Sequence, residues 1–416
     1  MFQRLPWLTA LAVWLVLYSI PATGEGLTLQ QALDRALADN PTVEAEIARA
    51  ESLRQQGVID TLPPAWQVTA DLEQFAGTGS LRGLRGAETT IRLGRQFELG
   101  GKRASRIALA DARVAAQEHE QRLSRLDLEA LVTQRFYTVL AGQALIDLSH
   151  RELQLARETL EVVRLRVDRG VSPGADQPLA ELEVARAALV LEDAEHELES
   201  ARVALSVLWG EREPAFAAVV GTLAPESPGP RLGDLESALQ AGADLHRYAL
   251  EAKRLDAEGQ LAAAAMKPDL LGTVGVRRLE GIDDQALVIS VSVPFGAAGR
   301  GALAASRVRA DKNVLAARRE AEELDLHQTL YGLYQEMQHA LHEAETLRLE
   351  MIPAAERALD LAVQGYESAR YSFLHVADTR RVLHTLQRDQ IDASIRYHQL
   401  TTRIQRLTAA SEGALP

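Results

Sequence analysis

The sequence predicts a mainly helical chain with a small portion of amphipathic strand, the whole pattern written twice. Three observations carry this. Trp66, Val68, Ala70 and Leu72 alternate with Gln67, Thr69, Asp71 and Glu73, the period of a strand with one apolar and one wet face. Each strand pair is followed by a very long stretch of helical period, which no compact domain holds. The order of these segments then returns about 200 residues later, an internal duplication that decides the fold.

The chain has 416 residues, a net charge of -13, 5% aromatic and 25% charged residues. Abundant alanine with few aromatics favours long helices in close contact rather than a large central core. The acidic balance, with no basic patch interleaved with aromatics, argues against nucleic acid as a partner. No cysteine occurs, so disulfides, thiolate metal sites and cysteine nucleophiles are excluded.

Residues 1–24 read as a secretory signal: Arg4 gives the positive start, Trp7 to Ile20 the apolar run, Ala22-Thr23-Gly24 the small-residue cleavage site. That run is short for a membrane-spanning helix. Without a cysteine behind the cleavage site the mature N-terminus is not expected to carry a lipid anchor. No later stretch suits a spanning helix, so further membrane contact requires strands.

The mature chain is expected to open on two helices, Leu27 to Asn40 and Thr42 to Ile59, parted by Asn40-Pro41. Strands at about 65–75 and 89–98 follow, joined by a Gly-rich loop from Ala76 to Gly86. A helical hairpin spans 102–209, its first arm unbroken from Lys102 to Val167. Leu126, Ala130, Thr133, Tyr137 and Leu140 form one seam on that arm; Val132, Phe136, Val139 and Ile146 form another about 120° away. Two seams imply two neighbours. Gly170 to Gly174 makes the tip, and Asp176 is placed to cap the returning helix. The first repeat thus covers 25–209, and 210–233, rich in proline and glycine, is the expected linker.

The second repeat, 234–411, begins with Leu235 to Leu239 in place of Leu29 to Leu33 and a helix from Ala243 to Met266. Its strands fall at about 269–279 and 286–295, with Phe295 equivalent to Phe97, and Gly296 to Gly301 leads into a hairpin at 302–409. Pro353 marks an expected kink. Residues 412–416 are a tail.

Four strands of about 10 residues cross an outer membrane when tilted but cannot close a barrel, and an open edge in lipid is forbidden. Oligomerisation follows. The alternation expects Val68, Val274, Ile289 and Val291 on lipid and Gln67, Thr69, Ser290 and Ser292 on the lumen.

In this layout the chain resembles the TolC family of outer-membrane efflux ducts over nearly its whole mature length. Phe97-Glu98-Leu99-Gly100-Gly101-Lys102-Arg103 is similar to the strand-to-helix junction of the CzcC-like branch serving heavy-metal resistance pumps, and Val291-Ser292-Val293-Pro294-Phe295 with Arg300 to its counterpart in the second repeat. The resemblance implies a TolC-like trimeric α/β-barrel duct, three chains giving four strands each. It implies residence in outer-membrane lipid with helices in the periplasm, a periplasmic adaptor (membrane fusion) protein and an inner-membrane resistance-nodulation-division pump as partners, no cofactor, and passive export of heavy-metal cations. A multidrug or type I secretion duct is the nearest alternative; a periplasmic adaptor or coiled-coil scaffold is the alternative of another class, though an adaptor has one helical hairpin flanked by compact β domains.

The family's tip motif is matched by Tyr366, Ala369, Ser372, His375 and Asp378. The resemblance implies a periplasmic gate in which an acidic residue of the first hairpin, here Asp176, pairs with a basic residue of the second, while rings of carboxylates line the aperture. Two departures stand out. His375 replaces one ring aspartate, and Tyr371 stands at the basic position with Arg370 beside it.

No catalytic constellation appears, and no enzymatic activity is expected. His339 and His342, with Glu336 and Glu343 nearby, have a spacing that places two imidazoles on one metal, but a solvated helix face rich in His and Glu is the plainer expectation. His119, His150 and His196 are expected at the surface.

Overall fold

The computed structural model describes residues 26–225 and 229–411; the signal expected at 1–24 and the tail at 412–416 lie outside them. Strand β1 (Leu27–Thr28) leads into α1 (Leu29–Asp39) and α2 (Pro41–Asp60). Thr28 and Gln31 close a reciprocal capping box, at 2.9 and 3.3 Å. Asn40 both ends α1 and caps α2, its Oδ1 accepting from the Thr42 amide at 2.8 Å, with Pro41 preset for the first turn.

Strands β2 (Trp66–Glu73) and β3 (Glu88–Phe97) precede α3 (Lys102–Asp168), which runs 67 residues, about 100 Å at 1.5 Å per residue. The chain returns as α4 (Asp176–Ser206). Asp176 is not its cap: Ala175 holds that position without a side-chain bond, and Asp176 is the first helical residue. Strand β4 (Val219–Val220) follows.

The stretch expected to be a bare linker does structural work. β4 pairs in parallel with β1, and Phe216 and Val219 enter the core of the first repeat beside Trp209. Their apolar side chains make that return favourable.

The second half repeats the order with α5 (Leu232–Gln240), α6 (Ala243–Ala264), β5 (Leu270–Leu279), β6 (Asp284–Ser292), α7 (Ala297–Thr346), α8 (Ile352–Glu367) and α9 (Phe373–Leu407). Helix α7 starts five residues earlier than expected, because Gly296 already supplies the left-handed cap at φ 90°. Gly301 lies inside the helix instead, where a Cβ would stand 2.6 Å from Met266 Cγ, so its absence allows α6 and α7 to approach. The kink expected at Pro353 takes the form of a π-helical turn, Leu347–Met351, between α7 and α8. A proline has no N–H for the ladder, and one widened turn absorbs the mismatch.

The core is distributed along the helices. One cluster gathers Val132, Phe136 and Val139 with Leu205 and Trp209; a second gathers Leu330, Met337, Leu400 and Ile404; a third lies at the hairpin tips around Val163, Tyr366 and Phe373. Val132, Phe136 and Val139 of the second α3 seam are buried, and the arm packs along α4 on one side and α6 and α9 on others. His119 is buried as well, contrary to expectation: its Nε2 lies 2.8 Å from the Ala243 carbonyl at the seam of α3 and α6, and its ring is 5.1 Å from that of His246. His150 and His196 are exposed. No helix among the described residues is long and apolar enough to cross a membrane.

Candidate functional site

The four-stranded sheet has the order β2-β3-β5-β6, every neighbour antiparallel. Its register sorts side chains by face. Val68, Leu93, Val274 and Ile289 form one row, and Ala70, Ile91, Val276 and Leu287 the next, all on the same side. Ile289 is 70% exposed and Val68 74%, so this face is a broad apolar surface lacking cover from its own chain.

The opposite face is polar. Gln67, Gly94, Thr273 and Ser290 form one of its rows. Above it Arg92 pairs with Asp71 at 2.6 Å, and Arg277 reaches the neighbouring β3 at Glu88, 2.8 Å away, and at the Thr90 hydroxyl, 3.0 Å away. Gly275 leaves room for the Arg92 stem: a Cβ there would stand 2.8 Å from Arg92 Cγ and 2.3 Å from the Ile91 carbonyl. Strands β2 and β6 each pair on one side only, so both edges of the sheet are open.

The junction residues pin sheet to helices. Gly100 and Gly101 take φ of 81° and 78°, a left-handed pair that turns strand into helix. Glu98 binds Arg106 through two bonds, at 2.5 and 2.8 Å. Lys102 reaches Asp269 at 2.6 Å, and Arg103 donates to the Thr61 carbonyl at 2.8 Å. Burial alone would raise the Asp269 carboxyl, but bonds from Lys102, the Leu99 amide and Gln96 hold it below its ordinary value. Each polar residue of the motif therefore has a partner that fixes the strands over the helical tube.

At the far end the two hairpin tips meet. Tyr366 is 6% exposed, its hydroxyl 3.2 Å from Ser172 Oγ and its ring 4.5 Å below the Arg166 guanidinium. Arg166 also donates to Ser172 Oγ at 3.3 Å and to the Glu367 carbonyl at 3.2 Å. Ser172 and Arg166 belong to the first hairpin, Tyr366 and Glu367 to the second. Tyr371 lays its ring over Gly365, where a Cβ would stand 2.1 Å from Cδ2, and 4.8 Å from the His375 ring. Ala369 adopts φ 56°, the left-handed conformation that glycine takes freely and alanine at a cost of about 1–2 kcal/mol.

The remaining candidates do not converge within one chain. Arg370 and His375 are exposed, and Asp378 is 54% exposed and paired with Arg381 at 3.2 Å. Burial pushes the Asp176 carboxyl up, and the cation opposing that shift is Arg166 of its own hairpin. Arg166 and Ser172 were not singled out in the sequence; an arginine in the last turn before Gly170 was the available signal. His339 lies 3.9 Å from Glu343, and no cluster of three or more metal-ligating residues occurs among the described residues.

The family model "Outer membrane efflux protein" matches residues 32–211. A cobalt-zinc-cadmium resistance protein, CzcC of Cupriavidus metallidurans, is 27% identical over 390 residues, covering 92% of this chain and 90% of the relative. A nickel and cobalt resistance protein of the same organism, CnrC, is 25% identical over 289 residues, 68% of each chain. Among solved structures, CusC superposes with a TM-score of 0.76 at 15% identity over 92% of both chains. VceC of Vibrio cholerae superposes with 0.71 at 18% identity, over 92% of this chain and 97% of that one. These two solved structures share the fold of this chain.

Proposed function

We propose that this chain is the outer-membrane duct of a tripartite efflux system that carries heavy-metal cations out of the periplasm. The observation that carries the reading is the sheet: one face apolar across its two middle rows, with Arg95 and Arg278 in the rows that flank them, one charged face, and two open edges. Such a sheet is stable in lipid only when copies of the chain close it edge to edge. Three copies give twelve strands, β6 of one pairing with β2 of the next, and their α3, α4, α7, α8 and α9 helices continue the tube into the periplasm. The apolar rows meet outer-membrane lipid, and the rows with Arg92 and Arg277 line the lumen.

The metal cargo rests on the relatives, which are resistance proteins for cobalt, zinc, cadmium and nickel. An adaptor protein and an inner-membrane pump of the resistance-nodulation-division class supply substrate and energy; the duct itself is passive and holds no cofactor. The periplasmic tips form the gate. In a threefold tube the Asp378 carboxylates and His375 imidazoles gather at the aperture, Asp176 lies at the first hairpin's tip, and Tyr366, Arg370 and Tyr371 frame the second.

Loss of the gene should lower tolerance to cobalt, zinc or cadmium and leave detergent tolerance unchanged; the reverse pattern would assign a different cargo. In planar bilayers Asp378→Ala should reduce cation selectivity, and His375→Asp, which adds one carboxylate per chain, should raise it. Unchanged selectivity in both variants would remove these residues from the constriction. Recovery of the protein only as soluble periplasmic material would refute the duct.

A further inference from the structure

Between the first hairpin and the second lies a small cavity with charged side chains in its lining. Helix α3 contributes Glu152, α4 contributes Glu183 and Arg186, and α9 contributes Arg380, Arg381 and His384. Its volume is about 110 Å³, room for several water-sized groups.

Arg380 is the anomaly. It is 7% exposed, yet among the described residues its one bond is from Nη2 to the Thr159 hydroxyl, and its Nε has no acceptor. A buried charge without a partner is strongly unfavourable, which is why such groups are almost always paired. Glu152 and Glu183 favour its charged form through space, but among the described residues neither forms a direct ion pair with it. Glu183 is shared by Arg186 at 3.5 Å and Arg381 at 3.8 Å. Burial pushes the Glu152 carboxyl up, which disfavours its anionic form, and burial likewise pushes the Arg380 guanidinium down. His384 adds a second unsatisfied atom, Nε2, at the same cavity.

We propose that this cavity is an oxyanion site, in which one small oxyanion is held by Arg380 with Arg381 and His384. A guanidinium offers a planar fork of donors that matches the spacing of two oxygens on a phosphate or carboxylate, and charge-assisted bonds of this kind are the stronger class. The bound anion supplies the directly bonded acceptor that Arg380 Nε lacks. It also bridges α9 to α3 and α4, so occupancy ties the second hairpin to the first about two helical turns from the tips, Glu183 and Arg380 each lying seven residues into α4 and α9. The site is independent of which cargo passes through the duct.

The test is a titration of the full-length protein in detergent with inorganic phosphate, ionic strength held constant with chloride, read by calorimetry and by thermal unfolding. The wild type should take up one phosphate per chain, and its Tm should rise with the logarithm of phosphate concentration. Arg380→Gln should weaken uptake at least tenfold and flatten that rise, while its Tm without phosphate stays at or above the wild-type value, since the buried guanidinium without a charged acceptor is gone. A purely structural Arg380 predicts the opposite, a fall in Tm with no phosphate dependence in either protein. Arg381→Gln, at a more exposed position, serves if Arg380→Gln does not assemble, and it too should weaken uptake. Absence of saturable uptake by the wild type, or full uptake by both variants, overturns the site.

Discussion

The assignment of the two sheet faces is open to a direct contest between adjacent residues. Ile289 sits near the middle of β6, 70% exposed in the single chain, at the end of the row through Val68, Leu93 and Val274. Ser290, next along the strand, ends the wet row through Thr273, Gly94 and Gln67. An arginine facing lipid near the bilayer midplane costs about 2–4 kcal/mol, and one in the lumen far less. At about 1.4 kcal/mol per tenfold, Ile289→Arg shifts the insertion equilibrium by roughly 30- to 700-fold per chain, and an oligomer carries the substitution in every subunit. Folding into phospholipid vesicles under a urea titration would read the difference for Ile289→Arg and Ser290→Arg against the wild type. Ile289→Arg should lower the midpoint sharply and Ser290→Arg little. Equal losses, or a larger loss for Ser290→Arg, would refute the assignment of faces and with it the closure of the sheet around a wet interior.

Two further expectations concern the tips and the α3–α6 seam. Tyr366→Phe removes the bond to Ser172, and Arg166→Gln removes the cation over the ring; each is worth about 1 kcal/mol, so each should shift the closed tip toward opening by about fivefold, seen as higher mean conductance in planar bilayers. Unaltered conductance in the double variant would show that this contact does not hold the tip. Burial lowers the His119 pKa below 6.5, so the folded chain keeps it neutral while the unfolded chain takes up a proton as pH falls through 6.5. Its contribution is therefore intact above that pH and is lost progressively below it. His119→Gln should flatten the decline in stability between pH 6.5 and 5, and an unchanged slope would place the linkage elsewhere.

Periodicity alone determined a great deal. Alternation at Trp66 to Leu72 and at Leu287 to Val291 fixed both strand identity and face, because a strand's period of two leaves no freedom once one side must be apolar. The long proline-free arm from Lys102 and the glycines at its start fixed where sheet becomes helix, and the recurrence of that order fixed the duplication. Other features depended on contacts distant in sequence. The 210–233 stretch looked like a linker because proline and glycine dominate it locally; its strand exists through pairing with β1, nearly 200 residues earlier. His119 looked like a surface residue because its helix neighbours are polar, and it is buried only because α6 crosses at Ala243. At the tips the sequence supplied Tyr366, His375 and Asp378 but not Arg166 or Ser172, and at the cavity it did not mark Arg380. These residues acquire their roles from the side-by-side packing of α3 with α9 and of one tip against the other. No local pattern encodes that juxtaposition, since burial of a polar group is settled by which helix lies across it.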